Sequence, residues 1–235
     1  HSRECHCGGK YRLMANSRKY QCSKCRFKIS PTAQTIFHKS DTPLTSWFHA
    51  IMVFSNAKSG MSASALQRDL EVTYKTAWRM LHLIRKALAQ STDKLQGDVE
   101  MDLGYIGGVA KVNKRMKNKS TVMAAIERGG DMVAKLVPDA KSDTHGKFLK
   151  KHVAREGTIL MTDNSKMYRR VAKGYNREYI NHSEEYVRGD IHINNVENFW
   201  SHVKRSIKGT HKVVSPKHLQ SYLDGFVWHY NNRHS

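Results

Sequence analysis

Thr158-Ile159-Leu160-Met161-Thr162-Asp163 is an apolar run that ends on an acid, and Gly157 precedes it. A second acid follows 34 positions later, in Asn194-Asn195-Val196-Glu197-Asn198-Phe199-Trp200. Residues 158–162 favour β structure and read as a short buried strand. Asp163 then stands where the strand's carboxyl end opens, a usual place for chemistry in open α/β sheets. Glu197 opens a helix with an apolar stripe of Val196, Trp200, Val203 and Ile207 at helical spacing. Beside it runs a second stripe, Glu197, Ser201, Lys204 and Lys208. A site built on two acids this far apart asks for a third, and Asp102 is the candidate.

Upstream, Val99, Met101 and Leu103 alternate with Asp98, Glu100 and Asp102, the pattern of a half-buried strand. Glu100 and Asp102 share one face, so alternation does not choose between them. Tyr105-Ile106-Gly107-Gly108 ends the strand, and a basic loop from Lys111 to Lys119 follows. Its Lys114, Arg115 and Lys117 are candidate phosphate contacts. Strands over 121–126 and 132–137 are joined by Arg128-Gly129-Gly130-Asp131, a hairpin turn signal. Residues 142–153 read as a helix with Phe148, Leu149 and Val153 inward. The Asp163 strand, a helix, a strand at Tyr179–Asn181 and the Glu197 helix complete the order. Three antiparallel strands followed by α/β alternation predict a ribonuclease H-like fold, a mixed five-stranded sheet with flanking helices. Its first and fourth strands are neighbours, which would set Asp102 beside Asp163.

Three carboxylates in one place suit phosphodiester chemistry, which needs an activated hydroxyl and a stabilised leaving oxygen. Two Mg²⁺ (or Mn²⁺) ions about 3.5–4 Å apart supply both, and hard cations take oxygen ligands. Clustered carboxylates repel unless a cation lies among them. Each acid also has an ordinary explanation: Asp163 as a strand-end turn residue, Glu197 as the closing member of a capping box with Asn194. All of these holding together on a basic chain is the weaker account. Lys204, two turns after Glu197 on the same side, could hold a phosphate or simply be a solvated helix lysine.

The chain has 235 residues, with 40 Lys and Arg against 20 acids and a formal charge of +20. That excess implies a polyanionic partner, most simply nucleic acid. No apolar run nears the roughly 20 residues of a membrane span, and the first residues show no signal-like apolar region. The expectation is a soluble, cytoplasmic, nucleoid-associated protein.

All four cysteines fall in 21 residues: Cys5 and Cys7, then Cys22 and Cys25. Two close pairs match a structural zinc site with one ion, with His6 as a spare ligand and two disulfides or free thiols as the alternative. Tyr11-Arg12-Leu13 and Lys19-Tyr20-Gln21 read as strands of a ribbon too small to bury a core of its own. Thr42-Pro43 opens a helix carrying Leu44, Trp47, Ile51 and Phe54. Ser64-Ala65-Leu66-Gln67 reads as the capping box of a short second helix. Thr73 caps a third, with Ala77, Met80, Leu81, Ile84 and Leu88 inward. Its Tyr74, Lys75, Thr76, Arg79 and His82 would face out, as in a DNA-reading helix-turn-helix; a plain helical hairpin is the alternative. The expected domains are 1–32, a zinc ribbon; 40–92, the helical module; and 93–235, the catalytic domain.

The chain resembles the bacterial insertion-sequence transposases with an N-terminal zinc ribbon and an ISXO2-like catalytic domain. The resemblance is carried by Tyr20 to Cys25, Thr76 to His82 with Ile84-Arg85, Val99 to Asp102 with Tyr105 to Gly108, and Thr162-Asp163-Asn164. It continues through Asn181-His182-Ser183, Asn194 to Trp200 with Lys204, and Leu219 to Leu223 with Tyr230 to Arg233. It implies that Asp102, Asp163 and Glu197 form the metal-binding DDE triad with Lys204 as its associated lysine, and it selects Asp102 over Glu100. It also implies cutting of transposon ends, joining of their 3′-hydroxyls to target DNA, and a homodimer on paired ends. Arg205 and Lys208 join Lys204 as expected DNA contacts. Three positions depart from the family pattern: Glu4 where a first cysteine would fall, Leu103 after Asp102, and Gly225 after Asp224. The rival readings are a catalytically silent DNA-binding regulator and a nuclease of the same fold.

Overall fold

The computed structural model describes residues 4–89, 93–107 and 119–234. It divides into two compact units, residues 1–51 and 52–235, with the boundary inside helix α1 (Leu44–Asn56). The first unit holds a three-stranded antiparallel ribbon, β1 (Tyr11–Leu13), β2 (Tyr20–Cys22) and β3 (Lys28–Ile29). Behind it Trp47 is buried, its indole N–H donating to Ser40 Oγ at 2.9 Å and its ring meeting Phe37 edge-on.

The second unit begins with α2 (Ala63–Leu70) and α3 (Tyr74–Ala87), separated by a three-residue turn with Glu71 at φ 52°. Thr73 caps α3 as expected, accepting from the Thr76 N–H. For α2 the cap is Ser62 and not Ser64: Ser62 is extended and its Oγ accepts from the Ala65 N–H at 3.1 Å. Ser64 therefore falls inside the helix.

A five-stranded sheet follows: β4 (Leu95–Gly107), β5 (Lys119–Glu127), β6 (Met132–Val137), β7 (Val153–Asp163) and β8 (Asn176–Ile180). The spatial order is β6-β5-β4-β7-β8. β5 pairs antiparallel with β4 and β6, while β7 pairs parallel with β4 and β8. A meander whose first strand adopts the fourth as its parallel neighbour is the ribonuclease H-like arrangement. α4 (Ser142–His152) and α5 (Lys166–Val171) join the parallel strands, and α6 (Asn194–Ser206) and α7 (Pro216–Asn231) end the chain.

Both faces of the sheet are covered. Val122, Ala124 and Ile126 point to α6 and α7, where Val196, Trp200, Leu223 and Phe226 pack. Met123 and Ala125 point the other way, to Phe148, Leu149 and Tyr168. Alternate residues thus serve opposite cores, and a strand buried on both sides reads as a continuous apolar run. α2 and α3 belong to the same unit as this sheet: Trp78 meets His218 of α7, and the buried Arg85 lies over the Tyr222 ring at 4.0 Å.

Candidate active site and metal centre

β4 and β7 pair in parallel as far as Glu100 opposite Met161. Asp102 and Asp163 each lie two residues beyond that couple, on adjacent strands and at the same height. Asp163 ends β7 opposite Ile180. Its Oδ1 accepts the Ser165 N–H at 3.1 Å, so it also serves as the turn residue that ends the strand. Arg177 on β8 fixes this corner, donating to the Thr162 hydroxyl and to the Asp163 carbonyl at 2.9 and 2.8 Å.

Glu197 arrives on α6, and the start of that helix is held from β4. Ile193 at the N-cap offers no side-chain bond. Instead the fully buried Glu100 reaches across. Its Oε2 accepts the N–H groups of Asn195 and Val196 at 2.8 and 3.2 Å, and its Oε1 accepts the Asn195 amide and the Arg128 Nε–H, both at 2.8 Å. Two orphan donors of the first turn are thereby satisfied by a carboxylate on another element. The capping box with Asn194, the ordinary alternative for Glu197, does not form. Arg128 also donates to the carbonyls of Asp190 and His192. His192 Nδ1 lies 3.0 Å from Arg128 Nη2 and 3.4 Å from the Asn194 N–H. Both of these are donors that face Nδ1. Nδ1 also lies 3.3 Å from Glu100 Oε1.

The same helix touches Asp102. Trp200, one turn after Glu197, donates its indole N–H to Asp102 Oδ2 at 3.1 Å. The indole can lie that close because β4 carries glycine beneath it: a Cβ at Gly104 would sit 2.8 Å from Trp200 ring carbons. Burial pushes the Asp102 carboxyl up to about 6. That value already includes the opposing Leu103 N–H and Trp200 indole, which lower it, and the charges of Asp163 and Glu197, which raise it. The three acids therefore share one electrostatic environment. Behind the aspartates, burial drives the Tyr168 phenol well above its ordinary range, and their charges add to that. Glu197 is the exposed member of the set, its side chain 43% exposed and Oε1 3.5 Å from His182 Nε2, an approach without hydrogen-bond geometry.

The thiols converge more tightly. Cys5 and Cys25 lie 3.4 Å apart, as do Cys7 and Cys22, and the four ligand atoms all lie within 4.8 Å of one another. Four Zn–S bonds of about 2.3 Å place tetrahedral sulfurs about 3.8 Å apart, so this donor set fits zinc. Cys5, not His6, is the fourth member of this cluster, and all four cysteines are free. Among the described residues this is the one acid, histidine or cysteine cluster already closed to that degree. The three carboxylates do not form such a group. The ribbon has no room beside the sulfur of Cys22: a Cβ at Gly9 would lie 2.4 Å from it. Gly9→Ala is therefore expected to lower bound zinc from one ion per chain to well under one, measured by atomic absorption on purified protein. Full zinc occupancy in that variant would count against the four-thiol site.

Residues 94–231, more than half of the chain, match the family model described as ISXO2-like transposase domain. The chain belongs to the ISXO2-like transposase family. The matched region contains the whole five-stranded sheet and all three acids. A Halobacterium salinarum protein described as an uncharacterized protein in transposable element ISH50 is 26% identical over 93% of this chain and 79% of its own length. A Haemophilus influenzae uncharacterized transposase-like protein is 29% identical over 41% of this chain and 78% of its own. Among solved structures, a chain of a simian T-cell lymphotropic virus intasome complex is 10% identical with a TM-score of 0.35. That match covers 76% of this chain, which spans only 65% of that one. So distant a likeness carries no argument; strand order and the family match do.

The residues expected to meet DNA are spread over this transposase. Tyr74, Lys75 and Arg79 are exposed on α3. Thr76 turns inward to the cap, 3.0 Å from the Thr73 hydroxyl. His82 stacks on Trp78 and abuts His218, so its ring packs α3 onto α7 and faces solvent less than expected. Lys204, Arg205 and Lys208 are exposed at the end of α6 and in the π-helical turn Ile207–His211. Lys114, Arg115 and Lys117 lie outside the described residues. No helix among the described residues is long and apolar enough to cross a membrane.

Proposed function

We propose that this transposase cuts the ends of an insertion sequence and joins the freed 3′-hydroxyls to target DNA, with Asp102, Asp163 and Glu197 as its metal-holding acids. One observation carries the reading. Asp102 and Asp163 sit side by side on adjacent parallel strands, and Glu197 lies close enough for its charge to raise the Asp102 carboxyl. Their oxygens fit hard divalent cations once the exposed Glu197 side chain turns inward. Two Mg²⁺ or Mn²⁺ ions held there would activate the attacking hydroxyl and stabilise the leaving oxygen. Trp200 keeps the Asp102 carboxylate aimed and screened from bulk water, and Glu100 holds the Glu197 helix at a fixed height over β4. Lys204, exposed two turns beyond Glu197, holds a phosphate of the bound strand.

In this reading residues 1–32 form a zinc ribbon that, with the helical module of residues 40–92, recognises the terminal inverted repeats. Phosphate contacts from a chain of charge +20 supply most of the affinity and make it salt-sensitive. Two ends are cut in concert by a homodimer, in the cytoplasm at the nucleoid.

The test is incubation of the protein with duplex oligonucleotides of its element's ends, a supercoiled target plasmid, and Mg²⁺ or Mn²⁺. Joined products with new 3′ linkages are expected. End binding with no cutting would instead mark a DNA-binding regulator, and cleavage of RNA–DNA hybrids without joining would mark a nuclease.

A further inference from the structure

At the end of the sheet remote from the acids, the start of β7 meets α4 and the turn after α5. A cleft of 340 Å³ opens there, with Lys94, Lys150, Arg155 and Lys173 around a floor that includes Leu149 and Val153. All four cations are exposed and no acid lines the cleft. Among the described residues no carboxylate forms an ion pair with any of them. Lys150 stands in the last turn of α4, where a cation complements the helix dipole. That explains Lys150 alone, because Lys94 precedes β4 and Arg155 projects from β7. Arg155 is also built in. Its Nε donates to the Gly174 carbonyl at 2.8 Å and its Nη2 to that of Lys173 at 3.2 Å. Gly174, at φ 88°, leaves space that any side chain there would take from the Arg155 guanidinium. A fixed guanidinium among three unpaired lysines is a preformed site for an anion.

We infer that this cleft is a second phosphate-binding site for double-stranded DNA. Val153 pairs with Leu95, and a bulge takes up the extra residues of β7, so the sheet runs about 23 Å from there to the level of Asp102 and Asp163, the length of seven strand steps. Duplex rises about 3.4 Å per base pair along each strand. The cleft therefore meets phosphates about seven base pairs from the scissile position, or a separate stretch of duplex. The choice of DNA as ligand rests on the transposase reading, but the roles of the three acids do not enter.

The test is lysine-acetylation footprinting of the full chain by mass spectrometry, with and without a 20-base-pair duplex and without added Mg²⁺, where roughly 20 pairs give about two turns. Severalfold protection of Lys94, Lys150 and Lys173 by duplex is the expected result. The Lys150→Ala/Lys173→Ala variant should bind the same duplex more weakly. Its log affinity should fall less steeply with log salt, by a slope of about two, one unit for each lost phosphate contact. Equal labelling with and without duplex, or an unchanged slope, overturns the site. Protection by inorganic phosphate alone, with no further gain from duplex, also overturns it and marks a free-phosphate pocket. Because no strand is cut in this assay, a wrong assignment of the acids would leave its outcome unchanged.

Discussion

Asp102→Asn is expected to reduce strand cutting to background and, in metal-free buffer, to raise the melting temperature. The second effect follows from the first residue's surroundings. The folded carboxyl titrates at about 6 against an ordinary 3.8, chiefly because it is buried. Between those values the folded chain binds more protons than the unfolded chain, so stability falls as pH rises through that window. Above pH 6 the whole cost remains, about 3 kcal/mol for two units. Asparagine removes the charge and still offers an oxygen to the Trp200 indole. For a unit of this size each kcal/mol moves the melting temperature by about 2–4 °C, so a rise of at least 5 °C at pH 7.5 is expected, shrinking towards pH 4. Asp163→Asn should cut no better but gain less, because it relieves only the charge that Asp163 places on Asp102. Adding Mg²⁺ should stabilise the unsubstituted chain and neither variant, since a ligand stabilises only the state that binds it. Binding of end oligonucleotides should survive in both variants. Persistent cutting by either one refutes the assignment of the acids.

That the acid proposed to hold metal should be a source of instability was not written in the residues around it, although its position was. Asp102 beside Asp163 followed from element order alone, because three meander strands followed by a crossover admit few sheet topologies. β6 and α4 were read within a residue of their bounds, since runs with a clear period of 2 or 3.6 announce themselves. β3 is two residues long and has no period to read. β7 extends back to Val153 through Gly157, which reads as a strand breaker. Gly97 and Gly157, at φ 72° and 69°, form a bulge at which the β4–β7 register shifts. The cap of α2 was misplaced because Ser62 and Ser64 are equivalent on paper, and only backbone geometry separates them.

The features left unread share one cause: each is a contact between residues far apart in the chain. His82 lies beside Arg79 on the face of α3 that looks exposed until α7 covers it from His218. Trp200 scans as one more apolar residue of α6, but its nitrogen reaches an acid 98 positions earlier. Asp102 and Glu100 occupy one face of one strand, two residues apart, and their opposite fates are set by what α6 places over each. The aspartate meets one indole N–H at the rim. The glutamate meets a helix terminus and an arginine in the interior.

Glu100→Gln is accordingly expected to be the most destabilising of the conservative substitutions in this region. The carboxylate accepts four donors at 3.2 Å or less, and two of them are backbone N–H groups that no other side chain caps. Glutamine keeps one acceptor oxygen and turns the other into a donor, which must then face an N–H or the Arg128 guanidinium. Breaking a buried pair by removing one charge costs about 3–5 kcal/mol, a large share of the 5–15 kcal/mol that holds a typical domain together. The melting temperature should fall by about 6 °C or more on thermal unfolding at pH 7.5. Arg128→Gln in the same background should recover part of the loss, because the uncompensated guanidinium leaves with it. That recovery separates an electrostatic cap from a packing role, which a second deletion would only worsen. At temperatures where Glu100→Gln is still folded, cutting should drop further than DNA binding, since the first turn that loosens is the one that carries Glu197. A variant that melts within a degree of the parent would show that α6 is held over β4 by its apolar stripe alone.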